Sequence, residues 1–124
     1  MAVPILKQGP FLIATIQSAL TDSDVLLLQD DVMAQVTRHR SRGIIVDVTA
    51  LDVMDSFVSR SLQGIARMTR LRGAETVIVG IQPEVAFAMV QLGMAFEDVL
   101  TALDLEEGLA LLLRPRKEAV DSGG

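Results

Sequence analysis

Between Asp47 and Ser56 the chain carries three carboxylates (Asp47, Asp52, Asp55) and two hydroxyls (Thr49, Ser56) within the stretch Asp47-Val48-Thr49-Ala50-Leu51-Asp52-Val53-Met54-Asp55-Ser56-Phe57-Val58. A hydrophobic run precedes it and a helical pattern follows, so these side chains sit where a strand hands over to a helix. Asp and Ser are ordinary helix-opening residues whose oxygens accept from free backbone N–H groups, and Asp52 fits a turn. Capping explains one of these residues well. It does not explain all of them beyond a strand's carboxyl end, the place where open α/β sheets build their sites. A phosphoryl group on Ser56 would add about −1.5 to −2 charge. Helix-start amides favour such a charge, whereas Asp52 and Asp55 repel it. A phosphate there is better suited to changing what a partner meets than to locking the local fold. Ser59, one helical turn on, is the rival acceptor, but its place inside the turn makes it less accessible than Ser56 to a kinase cleft. At the level of residues, a plain cap and a phospho-switch both stand.

Other chemistry is thin. The single histidine, His39, stands among arginines and fits a positive charge at a helix end rather than a base or a metal ligand. There is no Gly-x-Ser-x-Gly elbow and neither Gly-rich phosphate motif. Asp30-Asp31 and Glu106-Glu107 read as solvated helix faces, and Asp22 and Asp24 as caps. The chain has no cysteine, which removes disulfides, thiolate metal sites and thiol catalysis. No enzyme activity, cofactor or metal is expected.

The net charge is −5 over 124 residues, without a basic stripe, so nucleic acid is a poor partner. Arg38, Arg40 and Arg42, and later Arg114, Arg116 and Lys117, fit helix C-termini better than a docking patch. No apolar run is long enough to cross a bilayer, and the N-terminus lacks a signal-peptide pattern. A cytoplasmic protein is expected. Half of the residues are hydrophobic but only 3% are aromatic. Either the aliphatic core is well packed, or some apolar surface is covered by partners or by copies of the chain.

The elements that must position the loop follow from spacing. Val3–Lys7 and Phe11–Ile16 read as strands around Gly9-Pro10. Thr21 to Asp24 open a helix with Val25, Leu28, Val32 and Val36 on its buried stripe, closed by Gly43. Gly43–Val48 is a β-branched central strand. Asp55 or Ser56 caps a second helix that runs to about Arg72, with Val58, Leu62, Ile65 and Thr69 inward and Gly73 at its end. Glu75–Gly80 is a strand, and Gln82-Pro83-Glu84 opens a third helix with Pro at its first position. A short strand near Val99–Ala102 and a helix from Asp104 to Leu113 complete one domain over 1–113, followed by a polar tail over 114–124. The class is α/β: a mixed, mostly parallel sheet of about five strands with four helices, in the order ββαβαβαβα.

This order, the Ile44–Val48 strand and the Asp55-Ser56 helix start resemble the STAS domain family, in particular its RsbS-like stressosome scaffolds. The resemblance spans about Val3 to Leu113. Its most specific segments are Asp47–Phe57, and Val79-Gly80-Ile81-Gln82-Pro83-Glu84-Val85 followed by Leu92-Gly93-Met94. It implies a non-enzymatic scaffold that co-assembles with RsbR-type paralogues, as a homo-oligomer and a large hetero-assembly. It also implies that the scaffold sequesters an RsbT-type serine/threonine switch kinase, which phosphorylates Ser56, departs to signal a stress response, and is countered by a phosphatase. Asp52, Asp55, Phe57, Gln82, Pro83 and Glu84 are then the expected partner-binding residues. Sporulation-type anti-sigma-factor antagonists carry Asp-Ser-Ser-Gly where this chain has Asp55-Ser56-Phe57-Val58, so that role is the alternative. RsbR-type proteins add a long N-terminal domain for which 124 residues leave no room. A small nucleotide- or metabolite-binding protein is a more distant alternative, disfavoured by the absent phosphate loop.

Overall fold

A computed structural model describes residues 3–93, 96 and 99–115. Strands β1 (Ile5–Gln8) and β2 (Phe11–Thr15) form an antiparallel hairpin. Helices and strands then alternate: α1 (Asp22–His39), β3 (Gly43–Asp47), α2 (Ser56–Leu71), β4 (Glu75–Val79), α3 (Pro83–Gln91), β5 (Leu100–Ala102) and α4 (Leu105–Leu113). This is the expected ββαβαβαβα order and mixed five-stranded sheet, with strands side by side as β1-β2-β3-β4-β5. From β2 onward every pairing is parallel. The central strands also run in step, with Phe11, Gly43 and Glu75 opposite one another at one end and Thr15, Asp47 and Val79 at the other. Their carboxyl ends are therefore flush, and all four helices start from that end of the sheet.

Local chemistry fixes the helix ends. Thr21 and Asp24 form a reciprocal capping box at the start of α1, with Asp24 N–H donating to Thr21 Oγ1 at 3.1 Å and Thr21 N–H to Asp24 Oδ2 at 3.0 Å. Val25, Leu28, Val32 and Val36 are the buried stripe, as their spacing predicts. Gly43 does not close this helix. Arg40 does, in a left-handed conformation (φ 49°) with its N–H donating to the Val36 carbonyl. Gly43 is instead the first residue of β3, and a Cβ there would lie 2.7 and 2.9 Å from the Leu112 methyls. Its missing side chain leaves room for α4.

Alternation along the strands divides the core. Leu12, Ile44, Val46 and Ile78 face the buried stripes of α1 and α2 together with Val85 and Met89 of α3. Phe11, Ile13, Ile45, Val77 and Val79 face the other way, toward Leu112 of α4. Gly108 lets α4 come close, because a Cβ there would sit 2.8 Å from Val79 Cγ1. The end of α2 is tied to β4 by a buried hydroxyl pair, Thr69 and Thr76, 3.0 Å apart, with Thr69 Oγ1 also donating to the Ala66 carbonyl. Arg114 is fastened to the domain. It donates to the Leu111 carbonyl at 2.6 Å and pairs with Glu75 at 3.4 Å. The remainder of the expected tail, 116–124, lies outside the described residues. On α3, only Val85 and Met89 are buried, whereas Phe87 and Val90 are 66% and 75% exposed.

Two helix glycines should respond oppositely to alanine. At Gly64 of α2 an added Cβ would meet nothing within 4 Å, so Gly64→Ala should stabilise by about 0.5–1 kcal/mol through backbone entropy and propensity. Gly108→Ala gains the same ~1 kcal/mol of propensity but drives a methyl into Val79 at an overpacking cost of about 1–3 kcal/mol. It should be net destabilising. Urea unfolding of both variants checks the pair of signs.

Candidate functional site

The site is assembled at the flush carboxyl end of the sheet by the β3–α2 and β4–α3 connections. The first is braced from within. Asp47 Oδ1, at the end of β3, accepts from both the Thr49 N–H (2.9 Å) and the Thr49 hydroxyl (2.6 Å). Leu51 N–H closes a turn onto the Val48 carbonyl at 2.9 Å. Leu51 and Met54 are buried, while Asp52 and Val53 between them are exposed. The two apolar anchors thus hold the loop down and turn the intervening acidic residue outward. Sequence reasoning placed the loop but not these anchors; Val53 between them is as apolar but 72% exposed, so residue type alone does not mark which side chains are buried.

Asp55, not Ser56, caps α2. Its Oδ1 accepts from the Val58 N–H at 2.8 Å, and its carbonyl accepts from the Ser59 N–H at 3.0 Å. Ser56 is the first helical residue and is exposed. Of the loop's two hydroxyls, Thr49 is engaged by Asp47, and Ser56 is presented to solvent. Ser59 is only 2% exposed, and its Oγ has no hydrogen-bond partner. Phe57 is half-buried and packs against the larger core cluster, so it offers a partner only part of its ring.

The second connection is joined to the first. Gly80 turns with φ +79°, a left-handed conformation that favours glycine, and a Cβ there would collide with Thr49. Gln82 is the N-cap residue of α3, yet its side chain makes no cap. It reaches across instead, Nε2 donating to the Thr49 carbonyl at 2.7 Å. Pro83 follows at the first helical position, as the sequence predicts, and Glu84 is exposed in the first turn. Gln82 therefore binds the two loops into one surface, a role that sequence spacing gave no reason to assign. Met94, at the end of the second motif segment, lies outside the described residues. Among the described residues no group of three or more acidic or histidine side chains is arranged to hold a metal ion, and no helix is long and apolar enough to cross a membrane.

The STAS domain model matches residues 2–108. This chain belongs to the STAS domain family. As a STAS domain it is similar to a serine-to-glutamate variant of RsbS from Moorella thermoacetica, with 34% identity and a TM-score of 0.77 over 89% of this chain and 93% of that one. A chain in a structure of the stressosome, described as a signal integration and transduction hub, is 35% identical with a TM-score of 0.76, covering 88% and 95%. The RsbT co-antagonist protein RsbRA of Bacillus subtilis is 32% identical over 92 residues, 73% of this chain. This chain spans only about a third (34%) of RsbRA's length. The STAS domain here is thus similar to stressosome proteins of both the RsbS and the RsbR type.

The cap and the buried serine make separable predictions. Asp55→Ala should lower stability by about 1 kcal/mol, with Asp55→Asn retaining most of it. Ser59→Ala removes an unpaired buried hydroxyl and should leave stability unchanged or raise it by up to about 1 kcal/mol. Urea midpoints at constant m-value test both.

Proposed function

We propose that this STAS domain is a non-enzymatic, phospho-switched scaffold of the stressosome, acting in the cytoplasm and co-assembling with RsbR-type paralogues. Its carboxyl-end face binds an RsbT-type serine/threonine kinase through Asp52, Asp55, the exposed part of Phe57, Gln82, Pro83 and Glu84. The kinase transfers the γ-phosphoryl group of ATP to Ser56 Oγ, with ADP leaving and the hydroxyl proton lost to a base or to solvent. It is then released to activate the stress response. The observation that carries this reading is the contrast between two serines one turn apart: Ser56 is exposed at the helix start, and Ser59 is 2% exposed. A kinase must draw the acceptor hydroxyl into its own cleft, and only Ser56 is offered for that. The likeness to RsbS and to an RsbT co-antagonist supports the choice of partner.

The charge arithmetic supports release. A phosphate of about −1.5 to −2 arrives one residue from Asp55, whose carboxylate is already committed to the Val58 amide. It also lies near the outward Asp52. The new charge meets the helix-start amides and Arg60, exposed four residues on in α2, as well as the two carboxylates, and it alters the surface that the kinase holds. The Gln82 tie keeps the two loops in register during that encounter.

Incubation with an RsbT-type kinase and ATP, followed by peptide mass spectrometry, tests the assignment. One phosphate is expected on Ser56. Ser56→Ala should abolish it while keeping kinase affinity, and Ser59→Ala should leave it in place. Ser56→Asp should weaken kinase binding about tenfold or more by added negative charge at a contact. Phosphate on another residue, or none, overturns the switch; unchanged affinity of Ser56→Asp overturns release by charge.

A further inference from the structure

Helix α2 departs from the charge pattern of its neighbours. The first turns of α1, α3 and α4 hold acid (Asp22 and Asp24, Glu84, and Glu106 and Glu107), whereas the first turn of α2 holds none. Its earliest charged residue is Arg60, exposed at the fifth helical position. A cation there gains nothing from the helix dipole, which favours negative charge at this end. Among the described residues Arg60 is also the only Lys or Arg in the first half of a helix, and the described loops at the carboxyl end carry none. Arg67, the next cation along α2, stands two turns further on, ~10 Å along the axis. Arg60 makes no hydrogen bond or ion pair with any described residue. The carboxyl-end face is acidic through Asp52, Asp55 and Glu84, and Arg60 is the one cation at its margin.

Ser56 opens α2 and Arg60 follows four residues on, with the helix unbroken between them. Residues at that spacing are neighbours on one flank, with Cβ atoms about 5–6 Å apart, and an anion preceding a cation by four is the more favourable order. Long helical side chains lean toward the helix N-terminus, which aims Arg60 back over the turn that Ser56 begins. The planar guanidinium also matches a phosphate with two parallel N–H donors. Asp52 and Asp55 oppose a phosphate from the loop side, and Asp55 is already held by the Val58 N–H. Building on the reading of Ser56 as the acceptor, we propose that Arg60 is the phosphate-binding residue of the switch. Once formed, the phosphoserine lies along α2 against the Arg60 guanidinium instead of standing out beside Asp52. Before the transfer, a partner meets an acidic face with an unengaged cation at its margin. Afterwards that cation is occupied, and a phosphate of about −1.5 to −2 still leaves the pair negative. One modification therefore withdraws a positive charge from the partner's reach as well as adding negative charge.

Phosphoserine incorporated at position 56 during translation tests this pairing without any kinase. Phosphorus NMR follows its second ionisation, which falls near pH ~6 for a free phosphoserine. A neighbouring cation favours the dianion. Ionisation should therefore occur at lower pH in the unaltered chain than with Arg60→Gln, by about 0.2–0.4 unit, roughly a twofold change in the proton equilibrium. Arg60→Lys should keep part of that difference. Salt near 1 M, where the Debye length is ~3 Å, should shrink it. Urea unfolding supplies the second arm. Arg60→Gln should lower the midpoint of the phosphorylated chain and leave that of the unphosphorylated chain unchanged or slightly raised, because the cation has a partner only in the first. A merely structural role for Arg60 would lower both midpoints alike. Ionisation at the same pH with and without Arg60→Gln overturns the proposal, as do equal shifts of the two midpoints. If Arg60→Gln does not fold, the Arg60→Lys comparison and the salt dependence decide, and no shift in either overturns it. The two readings fail separately. An unpaired phosphate removes this role of Arg60 and leaves Ser56 as the acceptor, whereas a kinase that modifies another residue removes the acceptor and leaves the pairing measurable.

Discussion

The register of the three central strands governs most of what this domain presents. With Thr15, Asp47 and Val79 level across the sheet, every connecting loop leaves from one rim and every helix begins there. Helix starts carry free N–H groups and a partial positive potential, so the sequence supplies acceptors and acids at that rim: the Thr21–Asp24 box, the Asp55 cap, the Asp104 cap. Had the strands been staggered by even one residue, inward and outward side chains would have exchanged. The β3–α2 and β4–α3 loops would also no longer have met through Gln82.

Much of this was legible from residue patterns, for reasons that are local. Val25, Leu28, Val32 and Val36 recur at helical spacing, a periodicity that marks the buried stripe even though Leu26 and Leu27 lie off it and are exposed. Pro83 marks its helix because its ring presets φ and its missing N–H costs nothing there. The Asp55-Ser56 pair offered two caps, and only the three-dimensional structure separates them. What stayed hidden depends on contacts distant in sequence. Gly43 looked like a helix terminator because glycine commonly is one, but its smallness serves Leu112, nearly 70 positions away. Arg40 in a left-handed turn has no sequence marker, since that conformation is uncommon outside glycine and asparagine. Gln82 gave no hint of reaching Thr49. Glu107, read as part of a solvated face, also accepts from the Leu103 N–H at 3.2 Å.

Two serines one helical turn apart illustrate how packing partitions chemistry. The same hydroxyl group is a surface feature at the first position of α2 and a buried, unsatisfied one at the fourth. Leu51 and Met54 make this division sharp by pressing the preceding loop onto the core, so that the chain enters α2 at a fixed angle. A looser loop would blur which hydroxyl faces outward.

The two strands at the margins of the sheet limit how these domains can meet. β5 contributes three residues, and β1 four, bracketed by Pro4 and Pro10. Short margins offer few backbone donors and acceptors in sequence, and proline lacks the donor altogether. Neither margin is a good template for a neighbour's strand. A crowded assembly of such domains is thereby protected from merging into a continuous sheet, and its subunits must recognise one another through side chains, which single substitutions can retune.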